Sequence, residues 1–501
     1  MSHYWGQKGE DIDGETEHDW SGISLSINSN GSIVAIGAVN NDGNGNSSGH
    51  VRVYKYWNTS SSWTQLGGDI DGEGQDNYSG HSVSLSSDGM IVAIGAYGNN
   101  DSFLFGGHVR VYEYSNRYCS WIQMGGDIDG QSEIELSGWD VSLSDDGLRV
   151  AVGSKYNSSN GSQSGCVRIY EYSNSYWTQL GNDIYGENAY DELGTCVSLN
   201  SDGSIIAIGA PNNNGNGSNS GQVRVYEYSN SSWTQLGSDI YGESASVHLG
   251  YDVSLSSDGL TVAIGVPYSA VSTTNSGALQ FFGGSAGKEG HVSVYEYSNS
   301  SWTQLGSNII VGVFSGYTGW SLSLSSDGLT VSVGSIAGSS NLRVYEYSNN
   351  SWIQKGQDIH AEKTDDRSGW CVSISSDAST IAMGSFLRDD GGTDSGEVRI
   401  FKYVIPINYD TTVYLQTDKS VWGSTFNFQM VENSNEPKFK YNNIDILSIS
   451  DGYNNSESSY SSNKIVDVNS NAMKTILREL AKYVFGSPNS CLLYTSPSPR
   501  D

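Results

Sequence analysis

The chain has 501 residues with 25 basic and 55 acidic side chains, which gives a formal net charge of −30. Such an acidic surface repels nucleic-acid phosphates and anionic lipid, so neither is an expected partner. With 61 glycines, 32 tyrosines and 13 tryptophans but only 7 prolines, the composition favours strands joined by tight turns over helices.

The N-terminal sequence MSHYWGQKGEDIDGE lacks the apolar core of a secretory signal, and no apolar stretch approaches the length of a membrane-spanning helix. We therefore expect no membrane insertion. The sequence leaves the compartment open, and an extracellular or cell-surface location is compatible with it.

From its first residues the chain repeats one unit of roughly 56 residues, and each unit contains four recurring segments. In chain order these resemble WTQLG, GHSVSLSSDG, VAIGA and GHVRVYEY, and each reads as a short strand bounded by turn residues such as Asp88-Gly89. Four antiparallel strands in each of seven units predict an all-β, seven-bladed β-propeller. The WTQLG-like segments begin at Trp5, Trp63, Trp121, Trp177, Trp233, Trp302 and Trp352.

The two ends of the repeat predict how the ring closes. The last unit stops after Tyr403 without a WTQLG segment of its own, whereas the chain begins with a separate WGQKG segment at Trp5. The N-terminal strand can therefore complete the blade made by residues 369–403, which would remove the exposed edges of the sheet. We expect a propeller over residues 3–403, closed by its N-terminal strand.

The unit resembles the FG-GAP repeat, the blade of integrin α-chain propellers, and more closely the FG-GAP-like tandem proteins of marine and algal sequences. Ser79-Gly80 stands where the family has Phe-Gly, and Gly209-Ala210-Pro211 where it has Gly-Ala-Pro. The resemblance implies the same fold. It does not bring over the family's calcium site, because the turn Ser87-Asp88-Gly89 is too short to supply the spaced ligands of DxDxDG. The WD-repeat is the alternative family, although its WD dipeptide is absent here.

Acidic loops follow the WTQLG segments and offer weak candidates for a cation site. In the loop Gly67–Gly80 these are Asp69, Asp71, Glu73 and Asp76, whose alternating carboxylates could wrap Ca²⁺. The alternative is that Asp-Gly shapes the turn and the other carboxylates are solvated. The blade-six loop has no carboxylate, so a uniform metal role is not expected. The cysteines lack zinc-site spacing and the histidines form no ligand-spaced cluster, so we expect no cofactor other than this possible calcium.

The loops between the second and third strands are mostly rich in Asn and Gly, but two contain apolar residues. These are Phe103, Leu104 and Phe105 in blade two, and Phe281 and Phe282 in blade five. Apolar residues in an otherwise polar loop indicate a surface that contacts a partner. The alternative is that each loop packs on its own blade. The strand order places these loops and the acidic loops at one end of the ring, where a ligand is expected.

The arginine of VRVYEY recurs in six blades, and a substrate site does not need such repetition. We interpret these arginines and the repeated tryptophans as contacts between blades. The arginines are Arg52, Arg110, Arg168, Arg224, Arg343 and Arg399.

Residues 404–490 do not repeat and predict a partial β-rich region, with strands at TTVYLQT and STFNFQMV and an amphipathic helix over Ala472–Phe485. The last residues, CLLYTSPSPRD (491–501), resemble the in-frame translation of a transposase sequencing adapter, so they are left out of the fold. The natural chain is expected to continue beyond about Ser490.

No nucleophile elbow, P-loop or dinucleotide motif is present, and we expect no enzymatic activity. The predicted function is a binding or structural propeller that presents loops to a protein or glycan partner. One alternative is a calcium-dependent adhesion or carbohydrate-binding protein that uses the acidic loops. A propeller hydrolase is the remaining alternative, but such enzymes need different residues in different blades, whereas these blades are nearly identical.

Overall fold

The structure is a computed structural model that describes residues 3–269, 290–311, 317–336, 341–363 and 365–405, with the backbone of 438–441 and 444–448. The predicted seven-bladed propeller is confirmed: seven antiparallel sheets each contain four strands in the order innermost, second, third and outer, and the outer strand of the last sheet comes from the N-terminus. The described residues include no helix, and thus none that could cross a membrane.

The innermost and second strands come from the segments GHSVSLSSDG and VAIGA. The innermost strands are β3 (Ser21–Ile27), β8 (Ser82–Leu85), β13 (Ser137–Leu143), β18 (Cys196–Leu199), β23 (Val253–Leu255), β27 (Leu322–Leu324) and β32 (Val372–Ile374). The second strands are β4 (Ile33–Ala38), β9 (Ile91–Ala96), β14 (Arg149–Ser154), β19 (Ile205–Ala210), β24 (Thr261–Val266), β28 (Thr330–Ser335) and β33 (Thr380–Ser385).

The third and outer strands come from the segments GHVRVYEY and WTQLG. The third strands are β5 (His50–Trp57), β10 (His108–Ser115), β15 (Cys166–Ser173), β20 (Gln222–Ser229), β25 (His291–Ser298), β29 (Asn341–Ser348) and β34 (Glu397–Val404). The outer strands are β1 (Tyr4–Gln7), β6 (Ser62–Gln65), β11 (Ser120–Gln123), β16 (Tyr176–Gln179), β21 (Ser232–Gln235), β26 (Ser301–Gln304) and β30 (Ser351–Gln354).

The acidic loops also form short strands that pair with the neighbouring third strand. These are β2 (Ile12–Asp13), β7 (Ile70–Asp71), β12 (Ile128–Asp129), β17 (Ile184–Tyr185), β22 (Ile240–Tyr241) and β31 (Ile359–His360). Each one anchors an acidic loop to the blade that it has just left, so these loops have fixed backbone positions at their start.

The N-terminal strand closes the ring as the sequence predicts. Strand β1 pairs antiparallel with β34 of the last blade, with Trp5 opposite Tyr403. The side chain of Gln357 holds this strand, because its amide accepts from the N–H of Trp5 and donates to the carbonyl of Trp5, both at 2.8 Å.

The apolar core lies between neighbouring blades rather than inside any one of them. Val34 and Ile36 of the first blade, for example, pack against Val398 and Ile400 of the last. The alternating pattern of each strand therefore directs one apolar face toward each neighbouring sheet, which explains why a single blade could not be stable alone.

Three closed rings of hydrogen bonds join each blade to the next. In the outer ring the tryptophan Nε1–H of each WTQLG-like segment donates to a backbone carbonyl of the adjacent blade at 2.7–2.8 Å. In the inner ring a serine of each innermost strand accepts a backbone N–H from the next innermost strand at 2.9–3.2 Å. In the third ring the SSDG turns are linked through their backbones, from Ser29 round to Ser376 and back to Ser29.

A separate hairpin of β35 (Lys438–Tyr441) and β36 (Ile444–Ser448) is described beyond the propeller. The strands predicted at TTVYLQT and STFNFQMV, the predicted helix over Ala472–Phe485 and the segment 491–501 lie outside the described residues.

Candidate functional site

The acidic loops and the loops between second and third strands lie at the same end of the ring, as the strand order predicts. In the first two blades the N–H of Gly72 donates to the carbonyl of Gly49 at 2.7 Å, and the N–H of Ser79 to the carbonyl of Ser48 at 3.0 Å. Equivalent bonds recur around the ring. We call this surface the loop end.

Aromatic side chains surround the inner part of the loop end, where the innermost strands begin and the second strands end. We call this group the aromatic rim. On one arc, rings in contact are Trp20, Phe386, Trp370, Trp320, Tyr251, Tyr268 and Tyr317. On another arc they are Tyr78, Tyr97, His81 and Trp139. All of these except the buried Phe386 are partly exposed.

Within each arc the rim rings contact one another closely. Ring centroids are 4.8 Å apart for Trp320 and Trp370, and 4.5 Å apart for Tyr251 and Trp320. On the other arc the Lys155 ammonium lies 3.2 Å from the centroid of the Trp139 ring. Burial lowers the pKa of Lys155 to about 8. This part of the rim therefore already binds a cationic group against an aromatic face.

Two carboxylates lie near the start of innermost strands: Asp140 is on β13, and Asp252 directly precedes β23. Asp140 accepts from the hydroxyl of Ser82 at 2.7 Å and from the N–H of Val197 at 2.7 Å. Asp252 accepts from the N–H of Leu322 at 2.7 Å. Burial raises the pKa of Asp140 to about 6 and that of Asp252 to about 7. Both side chains therefore link neighbouring blades through hydrogen bonds.

The four residues predicted as a calcium site do not form one cluster. Asp69 lies with Glu15 and His50, whereas Glu73 lies with His108 and Asp127. Among the described residues no group of possible ligands contains two of the four predicted carboxylates. The loop Gly67–Gly80 connects blade one to blade two. Asp69, near its start, lies beside His50 of blade one, whereas Glu73, farther along, lies beside His108 of blade two.

His108 is at the centre of the second of these clusters. Its side chain is 1% exposed, and its Nδ1 lies 3.7 Å from Glu73 Oε2 and 3.9 Å from Asp127 Oδ2. Burial, with the adjacent Arg110, lowers the pKa of His108 to about 4. The ring is therefore neutral at neutral pH. This grouping was not predicted from the sequence, because its three members are far apart in the chain.

The predicted apolar loop of blade two is exposed. Phe103, Leu104 and Phe105 are 40%, 55% and 40% exposed. The backbone of this loop pairs with the following acidic loop, where the N–H of Ile134 donates to the carbonyl of Leu104 at 2.8 Å. Its side chains are thus available at the loop end. Phe281 and Phe282 lie outside the described residues.

The repeated arginines connect blades, as predicted. Arg110, for example, donates from Nη2 to the carbonyl of Asp71 in the preceding acidic loop at 2.6 Å, and its guanidinium lies over the ring of Tyr112. Arg168 is buried and pairs with Glu135 at 3.0 Å. These side chains are engaged in holding the acidic loops in place.

Comparisons with known proteins support the fold alone. No family model matches the chain, and no curated protein matches it. Among solved structures, the chain is similar to the β-propeller domain of Cps50 (Swd1) from Myceliophteria thermophila, with 10% sequence identity and a TM-score of 0.50. The similarity covers 79% of this chain and 99% of that domain.

The closed ring of seven sheets defines this protein as a seven-bladed β-propeller. Its membership of the FG-GAP family stays a prediction, because no family model matches it. Beyond the propeller fold itself, the loop end carries two features: the aromatic rim, and the clusters of histidine and carboxylates between its acidic loops.

Proposed function

We propose that this protein is a non-enzymatic binding module whose aromatic rim docks a basic segment of a partner protein. The observation that carries the proposal is the rim itself, a group of partly exposed tryptophan and tyrosine rings at the inner part of the loop end. Tryptophan and tyrosine are the residues that contribute most binding energy in protein interfaces, especially where they cluster.

The charge of the protein supports a basic partner. A net charge of −30 attracts cationic surfaces and repels anionic ones, and it speeds the encounter with a basic partner at low salt. Arginine and lysine also bind well against aromatic faces. Lys155, which lies over Trp139, shows that a rim ring accepts an ammonium group at close range.

The neighbouring apolar loop extends the proposed surface. Phe103, Leu104 and Phe105 are exposed at the same end of the ring, on the outer side of the rim. A partner that places its basic segment at the rim could contact these side chains as well. The proposal therefore joins the predicted contact loop to the rim in one binding surface.

The test uses the full chain and an array of synthetic peptides in which arginine alternates with tyrosine. Matched peptides carry glutamate in place of arginine, and a glycan array is probed in parallel. We expect binding to the arginine peptides alone, and weaker binding as the salt concentration rises. A double variant, Trp320→Thr with Trp370→Thr, should lose about thirtyfold or more in affinity, since a central tryptophan contributes about 2 kcal/mol or more.

Threonine is a matched replacement, because Thr195 occupies the equivalent position in blade four. Tyr176→Ala is the control, since Tyr176 is 69% exposed at the opposite end of the ring and should not affect binding. Binding to glycans but not to peptides would replace the protein partner with a carbohydrate. Equal binding by the rim variant and the wild type would refute the proposal.

A further inference from the structure

The cluster of Glu73, His108 and Asp127 joins two acidic loops through one buried histidine. Glu73 belongs to the loop that enters blade two, Asp127 to the loop that leaves it, and His108 begins strand β10 between them. The possible ligand atoms of the three side chains all lie within 4.8 Å of one another. Both carboxylates are about one-third exposed, so the cluster is open to solvent on one side.

The buried imidazole of His108 makes no hydrogen bond to any residue that the structure describes. Its side chain is 1% exposed, and neither ring nitrogen has a hydrogen-bond partner among the described residues. The distances from Nδ1 to the two carboxylates, 3.7 and 3.9 Å, are too long for hydrogen bonds. A buried polar group without a partner is costly, and so this one calls for a ligand that the protein itself does not supply.

In each carboxylate one oxygen lies toward His108, and the other oxygen contacts a second side chain of the protein. Asp127 accepts from Gln123 Nε2 through Oδ1 at 2.6 Å, and its Oδ2 is the atom nearest His108. Glu73 places Oε1 3.6 Å from Arg110 Nη1, and its Oε2 is the atom nearest His108. Such outer contacts are what fix the ligands of a metal site in orientation.

The same place in two other blades is filled by the protein. In blade four Gln222 replaces the histidine and donates to Glu187 Oε2 at 3.1 Å. There Asp239 Oδ2 accepts from the hydroxyl of Tyr241 at 2.7 Å. In blade seven the acidic cluster of Asp11, Glu362 and Glu397 is neutralised by Arg388 and Arg399. Among the described residues of blade two, His108 has no direct hydrogen bond to Glu73 or Asp127, and Arg110 is the guanidinium beside Glu73.

We propose that Glu73, His108 and Asp127 bind a divalent transition-metal ion of the zinc type, which connects the two acidic loops. One imidazole and two carboxylates are a donor set that such ions prefer, whereas calcium takes oxygen ligands in greater number. A tetrahedral ion with bonds of about 2.0–2.1 Å holds its ligand atoms roughly 3.3 Å apart. The distances from His108 Nδ1 to the two carboxylates, 3.7 and 3.9 Å, are close to this value, and the two carboxylate oxygens lie within 4.8 Å of each other.

The ion would fix the relative position of the loops on either side of blade two, close to the exposed segment Phe103–Phe105. The inference does not rest on the proposed partner, because it is argued from the cluster around His108 and not from the aromatic rim. Blade one carries a similar cluster of Glu15, His50 and Asp69, but the imidazole of His50 is not among the buried groups that lack a hydrogen-bond partner.

The experiment measures bound metal on the full chain after treatment with a chelator and dialysis against micromolar Zn²⁺. His108→Gln imitates blade four, where glutamine bonds directly to the glutamate, so this variant should keep its fold. We expect it to bind one ion fewer per chain than the wild type. With Co²⁺ in place of Zn²⁺, the visible absorption of the wild type should be reduced by the same substitution.

A matched pair of aspartate variants checks the position. Asp127→Asn should also lose the ion, whereas Asp239→Asn in blade four should not, because Asp239 is already paired with Gln235 and Tyr241. The Zn²⁺-dependent rise in the midpoint of thermal unfolding should be smaller in His108→Gln, while the midpoint in chelator should be unchanged. Equal metal content in wild type and His108→Gln, or no bound metal in the wild type, would overturn the inference.

Discussion

Replacing Trp5 with alanine tests whether the N-terminal strand closes the ring. Trp5 is 3% exposed, its Nε1–H donates to the carbonyl of Lys355 at 2.7 Å, and its ring centroid lies 5.0 Å from that of Tyr403. Truncation of a buried tryptophan to alanine costs about 3–5 kcal/mol. Because a folded domain is stable by only about 5–15 kcal/mol, Trp5→Ala should remove a large share of the free energy of unfolding.

The effect should begin at the closing blade. Strand β1 is joined to β34 by hydrogen bonds and packing alone, so its release would expose the edge of β34 before the other blades unfold. Guanidinium unfolding gives the overall loss. Hydrogen exchange gives its location, and we expect the amides of Tyr4–Gln7 and of the pairing half of Glu397–Val404 to lose protection first.

Tyr4→Ala is the control, since Tyr4 lies in the same strand but is 44% exposed. This change should alter the free energy of unfolding by no more than about 0.5 kcal/mol. If both variants unfold at the same denaturant concentration as the wild type, β1 does not stabilise the ring and the reasoning is refuted. Uniform loss of protection in every blade, with no early change in the last, would refute the order of events.

Three smaller changes test other contacts. Gln357→Gly removes two hydrogen bonds to the backbone of Trp5, so it should lower the free energy of unfolding by about 1–3 kcal/mol and speed hydrogen exchange in β1. Unchanged exchange in β1 would show that Gln357 does not hold this strand. Ser254→Ala leaves the N–H of Leu324 without its acceptor in the inner ring, and denaturant unfolding should show a loss of about 1 kcal/mol rather than none. Burial raises the folded-state pKa of Asp140 from 3.8 to about 6, so its contribution to stability is present below pH 4 and is lost as the pH rises to 6. In Asp140→Asn the free energy of unfolding should therefore fall less between pH 4 and pH 6, by about 1–2 kcal/mol. If the pH dependence of unfolding is the same in the variant and the wild type, the raised pKa of Asp140 is contradicted.

The architecture was predictable because the repeat is nearly complete in every unit. Each segment carries its own strand pattern and its own turn residues, and the separate segment at Trp5 matches what the unit ending at Tyr403 lacks. The structural role of the repeated arginines also followed from repetition. The partners of the tryptophan Nε1–H groups did not, because a backbone carbonyl in the next blade leaves no signature in the sequence.

The sites were harder to predict, since their members come from different blades. Part of the rim forms at the position directly after a repeated glycine, where Trp139, Trp320 and Trp370 stand in place of smaller residues such as Thr195. An alignment of the seven units would have revealed the aromatic residues at this position. The cluster around His108 forms because the acidic loop contacts blade one at its start and blade two farther along, so that Asp69 and Glu73 lie in different clusters. Spacing along the chain treats these two residues as neighbours in one site, whereas the structure places them in two different clusters, and calcium binding by this loop stays a prediction.

The positions that differ between blades are the ones free to take on function. A closed ring requires the same hydrogen bond seven times over, and so the tryptophan of each outer strand and the serine of each innermost strand are held constant. Two other positions of the repeat lie at the loop end, take no part in these repeated hydrogen bonds, and differ from blade to blade. After the repeated glycine stand Ile23, His81, Trp139, Thr195, Tyr251, Trp320 and Trp370, and at the start of the third strand stand His50, His108, Cys166, Gln222, His291, Asn341 and Glu397. The proposed binding surface and the proposed metal site each use one of these variable positions, so either could be altered in one blade while the ring stays closed.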